Sequence, residues 1–174
     1  CQMPICMING AVGGTRIDVH LPGVVNDINN AAIFDQLLNR VVAAKLTHGI
    51  RAVFWHQGES DQDASGPYGG DYNYKYYQQN FVDLSAAWKQ SMPNIRNYFI
   101  FQVYPNACGI GPKDDQLREV QRTLPYLYSP HMRIMSTVGN VPGVGCHTPA
   151  EGYAMFARVM LPLVKQDIYG LVTN

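Results

Sequence analysis

Apolar and polar positions along the chain alternate between two periods. Residues 4–10 (PICMING) are a short apolar run ending at Asn9-Gly10, the pattern of a buried strand entering a loop. Ile33, Phe34, Leu37, Leu38, Val41 and Val42 then recur at helical spacing within residues 30–49, with Gly49 as the predicted stop. Residues 50–55 (IRAVFW) read as a second strand. Tyr76, Tyr77, Phe81, Leu84 and Trp88 mark an amphipathic helix over 72–91 that ends before Pro93. A third strand is predicted at 97–105, closed by Pro105, and a more polar helix at 113–124. A fourth strand covers 132–138 and a last helix 148–164. That helix has a full start signal: Thr148 as N-cap, Pro149 in the first position and Glu151 completing a capping box.

Strands alternating with helices, and strands that are apolar almost throughout, predict an α/β fold whose parallel sheet is covered on both faces. Loops at the carboxyl ends of such strands are where ligands bind. Three segments fall there or just before the next helix: NGAVGGTRID after the first predicted strand, HQGESDQ after the second and GNVPGVGCHTPAEGY after the fourth. The chain shows no internal repeat, and the Gly- and Tyr-rich stretch 66–77 reads as a surface loop running into a helix.

Composition narrows the function. With 174 residues, 47% hydrophobic and 15% charged, the chain has the makeup of one globular domain. Thirteen basic and thirteen acidic residues give no net charge, so the footprint of a nucleic-acid or membrane-surface binder is missing and a neutral ligand such as a sugar is compatible. No apolar run reaches the roughly 18 residues of a membrane span. Residue 1 is a cysteine and no signal peptide opens the sequence, so the N-terminus carries no reading of localisation. The four cysteines, Cys1, Cys6, Cys108 and Cys146, lack CxxC spacing and allow either disulfides or free buried thiols.

Each candidate group has a functional and a structural reading. His147, just before the last helix, suits proton transfer near neutral pH, against the structural reading of a loop histidine that caps the helix or bonds a carbonyl. Glu59 has the chemistry of the acid that orients a catalytic histidine, against an ordinary surface carboxylate beside Asp61 and Asp63. The Gln57 amide can donate to an oxyanion or satisfy loop carbonyls. Gly13 and Gly14 clear side chains from a backbone that could face a ligand. His56, Glu59, Asp61 and Asp63 lack zinc-ligand spacing and the calcium-loop pattern, so no metal is expected. The tyrosines of 72–77 fit core packing better than stacking on sugar rings.

Taken together, INGAVGGTRID, FWHQGESD and CHTPAEGYAMFARVM resemble the SGNH-type carbohydrate esterases, most closely the family of sialate O-acetylesterases and acetylxylan esterases with its Trp-x-Gln-Gly-Glu-Ser-(Asp/Asn) block. The likeness spans roughly residues 4 to 164, and QLREVQ (116–121) resembles the family's Leu-Arg-Glu-x-Gln segment. The resemblance implies a flavodoxin-like three-layer α/β/α sandwich and a carbohydrate O-acetylesterase working by a Ser-His-acid mechanism, with no metal or organic cofactor. His147 would be the general base, Glu59 its acid partner or a support for the loop, and Gly13, Gly14 and Gln57 the oxyanion and substrate-binding groups. The partner implied is an acetylated carbohydrate, of sialic acid or xylan type.

Two departures shape what is expected. The family's nucleophilic serine lies in a Gly-Gln-Ser-Asn block after the first strand, and none of Ser60, Ser65, Ser85, Ser91, Ser129 or Ser136 lies in one. Residues 1–174 are therefore expected to form a single SGNH-type domain lacking its nucleophile-bearing N-terminal segment and first strand. Many members also have Asp three residues before the histidine, where this chain has Val144, which moves the acid's role toward Glu59. A non-catalytic carbohydrate-binding or interaction domain is the alternative, and an esterase for lipid or aryl esters a third reading. Cys108 and Cys146 both fall in loops at the expected carboxyl edge, so a disulfide bracing the histidine loop is expected, with Cα atoms within about 7 Å. Such a bridge favours an extracytoplasmic or secreted protein.

Overall fold

The computed structural model describes residues 5–26, 29–62, 74–109, 113–128, 131–140 and 145–171. Three parallel strands, β1 (Ala52–His56), β2 (Asn97–Phe101) and β3 (Met132–Met135), form a sheet in the order β1-β2-β3, with Phe54 opposite Phe99 and Ile100 opposite Ile134. Four helices accompany them: α1 (Ile33–Ala43), α2 (Tyr74–Ser91), α3 (Lys113–Tyr128) and α4 (Ala150–Tyr169). One buried cluster joins Trp55 and Ile100 to Tyr77, Phe81, Leu84 and Trp88 of α2, Leu117 and Leu124 of α3, and Phe34 and Val41 of α1. On the other face Phe101 and Met135 pack on Phe156 of α4. Arg133 of β3 also holds Asp167 of α4 through two hydrogen bonds of 2.7 and 2.8 Å. The fold is thus the expected α/β sandwich with an open parallel sheet.

Several predicted elements take a different form. Residues 5–10 are not a strand, and Ile5 and Met7 are exposed. The segment instead runs over α1: Arg40 donates to the Asn9 carbonyl at 2.7 Å, and Gly10 lies so close to Leu37 that a Cβ there would be 2.9 Å from Cδ1. Nor is β1 buried throughout, since Phe54 is 43% exposed. The helix of α1 stops at Ala43 rather than at Gly49. Lys45 takes φ 58°, its N–H bonds the Val42 carbonyl, and the Leu46 N–H bonds that of Val41. This is a Schellman closure, and it tucks Leu46 against the core.

β2 and β3 are shorter than their apolar runs, and for β2 the reason is visible. The Val103 N–H is taken by the Gln121 side chain of α3 at 2.8 Å. The helix of α3 runs on through Pro125 to Tyr128, because a proline in the last turn removes only one late hydrogen bond. The expected capping box of α4 does not form. Pro149 occupies the N-cap with no side-chain cap, so Thr148 and Glu151 do not serve as its two arms. Within α2, Tyr77 is buried but Tyr76 is half exposed, while Tyr72 lies outside the described residues.

Candidate active site

The loop after β1 turns sharply. Gly58 has φ 149°, and a Cβ there would sit 2.5 Å from Val103 Cγ2 and 3.0 Å from both Gln121 Nε2 and Leu117 Cδ2. Only glycine fits both the dihedral and the space. Behind the turn, the Gln57 carbonyl accepts from the Tyr77 hydroxyl at 2.9 Å and from Gln121 Nε2 at 3.0 Å. Trp55 Nε1 donates to the same hydroxyl at 3.0 Å, and burial pushes the Tyr77 phenol well above its ordinary pKa. The QLREVQ segment therefore supports the loop from α3 through Gln121. Arg118 reaches the Val103 carbonyl and, at 3.1 Å, Thr137 Oγ1, tying the ends of β2 and β3 together.

Gln57 and Asp61 fasten this loop to the glycine-rich one. Gln57 Nε2 donates to the Thr15 carbonyl at 3.0 Å and to Asp61 Oδ2 at 2.5 Å. Both acceptors demand the NH2 end of the amide, so its orientation is fixed. Asp61, 2% exposed, also accepts the Ile17 N–H on both oxygens, at 3.1 and 3.3 Å. Burial pushes its carboxyl up to about 7, against the hydrogen bonds from Gln57 and Ile17. Next to it, Thr15 Oγ1 donates to the Val12 carbonyl at 2.7 Å and lies 2.8 Å from His20 Nε2. Burial lowers the His20 pKa to about 4, with Asp18 opposing, so this imidazole stays neutral. Gly13 and Gly14 form the exposed turn ahead of this anchor, Gly14 at φ 73°.

The carboxylate of Glu59 faces His56: Oε1 is 3.7 Å from His56 Nε2, each side chain 22% exposed. The His56 ring packs edge-on against Phe156 at 5.4 Å and Tyr153 at 6.3 Å, which brings the start of α4 to the loop after β1. Burial draws the His56 pKa below its ordinary value, with the Glu59 charge opposing. His147 is exposed and follows directly on Cys146, which is bonded to Cys108 with Cα atoms 4.3 Å apart. The expected bridge is present, while Cys6 is an exposed free thiol rather than a buried one. Gly152 completes this corner: a Cβ there would lie 2.4 Å from Thr148 Cγ2, and Asn140 Nδ2 reaches its carbonyl at 3.4 Å. Val144 and Asp63 lie outside the described residues.

Of the residues singled out in the sequence, Gly13, Gly14 and Gln57 come together through the Thr15 carbonyl. Both amide hydrogens of Gln57 are donated within the protein, so as an oxyanion donor it would have to release Thr15 or Asp61. Glu59 adjoins this group. Among the described residues no hydrogen bond or ion pair joins it to His147. Asp61, Tyr77 and Gln121 are not among the residues given a site role from the sequence, although side chains of theirs fasten the loop. Asp61 has no local signal beyond its place in the Gly-Glu-Ser-Asp block, and Gln121 is signalled only as the last residue of the Leu-Arg-Glu-x-Gln segment, with no role attached to it there.

No curated relative matches the chain. A family model described as carbohydrate esterase, sialic acid-specific acetylesterase matches residues 1–160. The match covers the glycine-rich loop, the loop after β1 and the start of α4, the three segments assembled above. The chain belongs to the sialic acid-specific acetylesterase family of carbohydrate esterases.

Proposed function

We propose that the protein hydrolyses acetyl esters on sugars, of sialic acid or xylan type, by a Ser-His-acid mechanism in a single SGNH-type domain. The observation that carries the reading is the fastening of the glycine-rich loop to the Gln57–Asp61 loop at the carboxyl end of a parallel sheet. In that arrangement the backbone N–H groups of Gly13 and Gly14 meet the developing oxyanion, and Gln57 holds the turn that presents them. His147, on its disulfide-braced loop, takes the proton of the nucleophile and returns it to the leaving sugar hydroxyl. Glu59 steadies His56 and the loop, or orients His147 once substrate and the rest of the domain are in place. No metal or organic cofactor enters the proposed reaction.

The nucleophilic serine comes from a segment other than residues 1–174, seated beside β1. Among the described residues β1 pairs on one side only, with β2, and Phe54 is left 43% exposed, which supports a further strand at that edge. The disulfide fits an oxidising, extracytoplasmic compartment.

The test is acetate release from O-acetylated sialic acid and acetylated xylan by the full-length gene product. His147→Ala should lower kcat about 10³-fold or more, and Glu59→Gln about 10⁴-fold if it is the triad acid but far less if it supports the loop. Acetate release that survives His147→Ala would overturn the assignment. A full-length product without a nucleophilic serine, binding sugars but releasing no acetate, would make this a carbohydrate-binding domain instead.

A further inference from the structure

Asp61 is a carboxylate at the centre of the site that the proposed reaction does not use. It sits 2% exposed in the 3-10 turn Glu59–Asp61, and the groups aimed at it are donors: the Ile17 N–H on both oxygens and Gln57 Nε2. A buried carboxylate is unfavourable unless such donors surround it. Here they come from two loops, and one of them, Ile17, stands at the base of the glycine turn with its side chain fully buried in the core. Ile17 is therefore held at both its backbone and its side chain. Between it and Gly14 lie only Thr15 and Arg16, and the Thr15 carbonyl is held by Gln57, whose amide Asp61 in turn orients.

We propose that Asp61 is a positioning residue for the glycine turn: its carboxylate, closed on the Ile17 N–H and the Gln57 amide, fixes the backbone of residues 13–17 in the conformation that presents the Gly13 and Gly14 N–H groups to the reacting ester. This rests on the esterase reading for what the turn does, but not for how it is held. The ionised carboxylate accepts both N–H groups, that of Ile17 shared between its two oxygens and that of Gln57 on Oδ2. A proton on either oxygen turns one of the two acceptors of the Ile17 N–H into a donor, for which neither N–H group is a partner, so the hold on Ile17 weakens as the proton binds.

Other charged and titratable groups also face Asp61. Arg16 and Asp18, joined to each other at 3.0 Å, approach from the glycine loop, and Tyr77 approaches from α2. Glu59 lies on the same turn. Arg16 favours the carboxylate and Asp18 opposes it, both by less than burial does.

Two measurements test the proposal. In ¹⁵N-labelled protein, the Ile17 backbone amide and the Gln57 side-chain amide should share one inflection near pH 7. Asp61→Asn should abolish it. In acetate release by the full-length protein, Asp61→Asn should lower kcat by about a hundredfold with KM little changed, and remove the pH limb near neutrality. The native titration needs no variant, so it remains decisive if Asp61→Asn fails to fold. No inflection at Ile17, or wild-type kcat and pH profile in Asp61→Asn, would overturn the proposal. If the native protein releases no acetate, the esterase reading fails, and the Ile17 titration alone decides for or against the clamp.

Discussion

The side-chain amide of Gln57 donates to the carbonyl of Thr15 at 3.0 Å across 42 residues of sequence. Its second amide hydrogen goes to Asp61, so one side chain spans the two loops and orients the acid between them. Gln57→Ala leaves a buried carbonyl and a buried carboxylate each short of a donor, at a cost of about 2–3 kcal/mol. In a chain of 174 residues that lowers Tm by roughly 5–10 °C. Gln57→Glu places oxygens against two acceptors and should be worse than Gln57→Ala above pH 7. Thermal melts of the two variants check both statements.

Gly58→Ala should be among the most damaging single-methyl additions in the protein. The new Cβ would meet Val103 Cγ2 at 2.5 Å in a backbone at φ 149°. Strain and overpacking together cost about 3 kcal/mol or more. Because the same turn places Gln57 and Glu59, hydrolysis should fall along with Tm, and a variant with native Tm would show that the loop can open without loss.

The Cys108–Cys146 bridge closes a loop of sequence separation 38. Opening it should cost about 3–4 kcal/mol through the freedom the unfolded chain regains. Native protein treated with a thiol reagent should label Cys6 but not Cys108 or Cys146 until reductant is added, as read by peptide mass. The Cys108→Ser, Cys146→Ser double variant should broaden the His147 ring resonances, since the residue before it is no longer anchored.

Two buried groups pull stability in opposite directions with pH. His20 titrates at about 4 in the folded chain against 6.5 unfolded, so its contribution is complete above about pH 6.5 and is lost as pH falls toward 4. Asp61 titrates at about 7 against 3.8, so the folded chain keeps a proton that the unfolded chain has released, and its contribution diminishes as pH rises from about 4 to 7. Melts of His20→Gln should show a shallower acid limb than wild type. Melts of Asp61→Asn should gain on wild type as pH is raised through that window. Each difference is on the order of a few kcal/mol, and parallel curves for variant and wild type would contradict the assignment.

The periodicity of the chain was enough to determine the existence and order of α1 to α4 and of β1 to β3, because a helix face or a buried strand is written in nearest-neighbour spacing. The family was legible too, in FWHQGESD and its companion loops. What periodicity misread were the places where a tertiary partner intervenes. Residues 5–10 are apolar enough for a strand, but α1 offers them Arg40 and Leu37. β2 ends where Gln121 takes the Val103 N–H, and α1 ends where Lys45 turns left-handed and lets Leu46 reach the core. The site divides the same way. Gly13, Gly14, Gln57, Glu59 and His147 are legible through the resemblance of their three loops to the family, since each taken singly also fits an ordinary turn. Asp61 looked like one more acid in a polar turn. Its buried place between Ile17 and Gln57 exists only when residues 44 apart in sequence are brought together, and such a contact leaves no trace in local pattern.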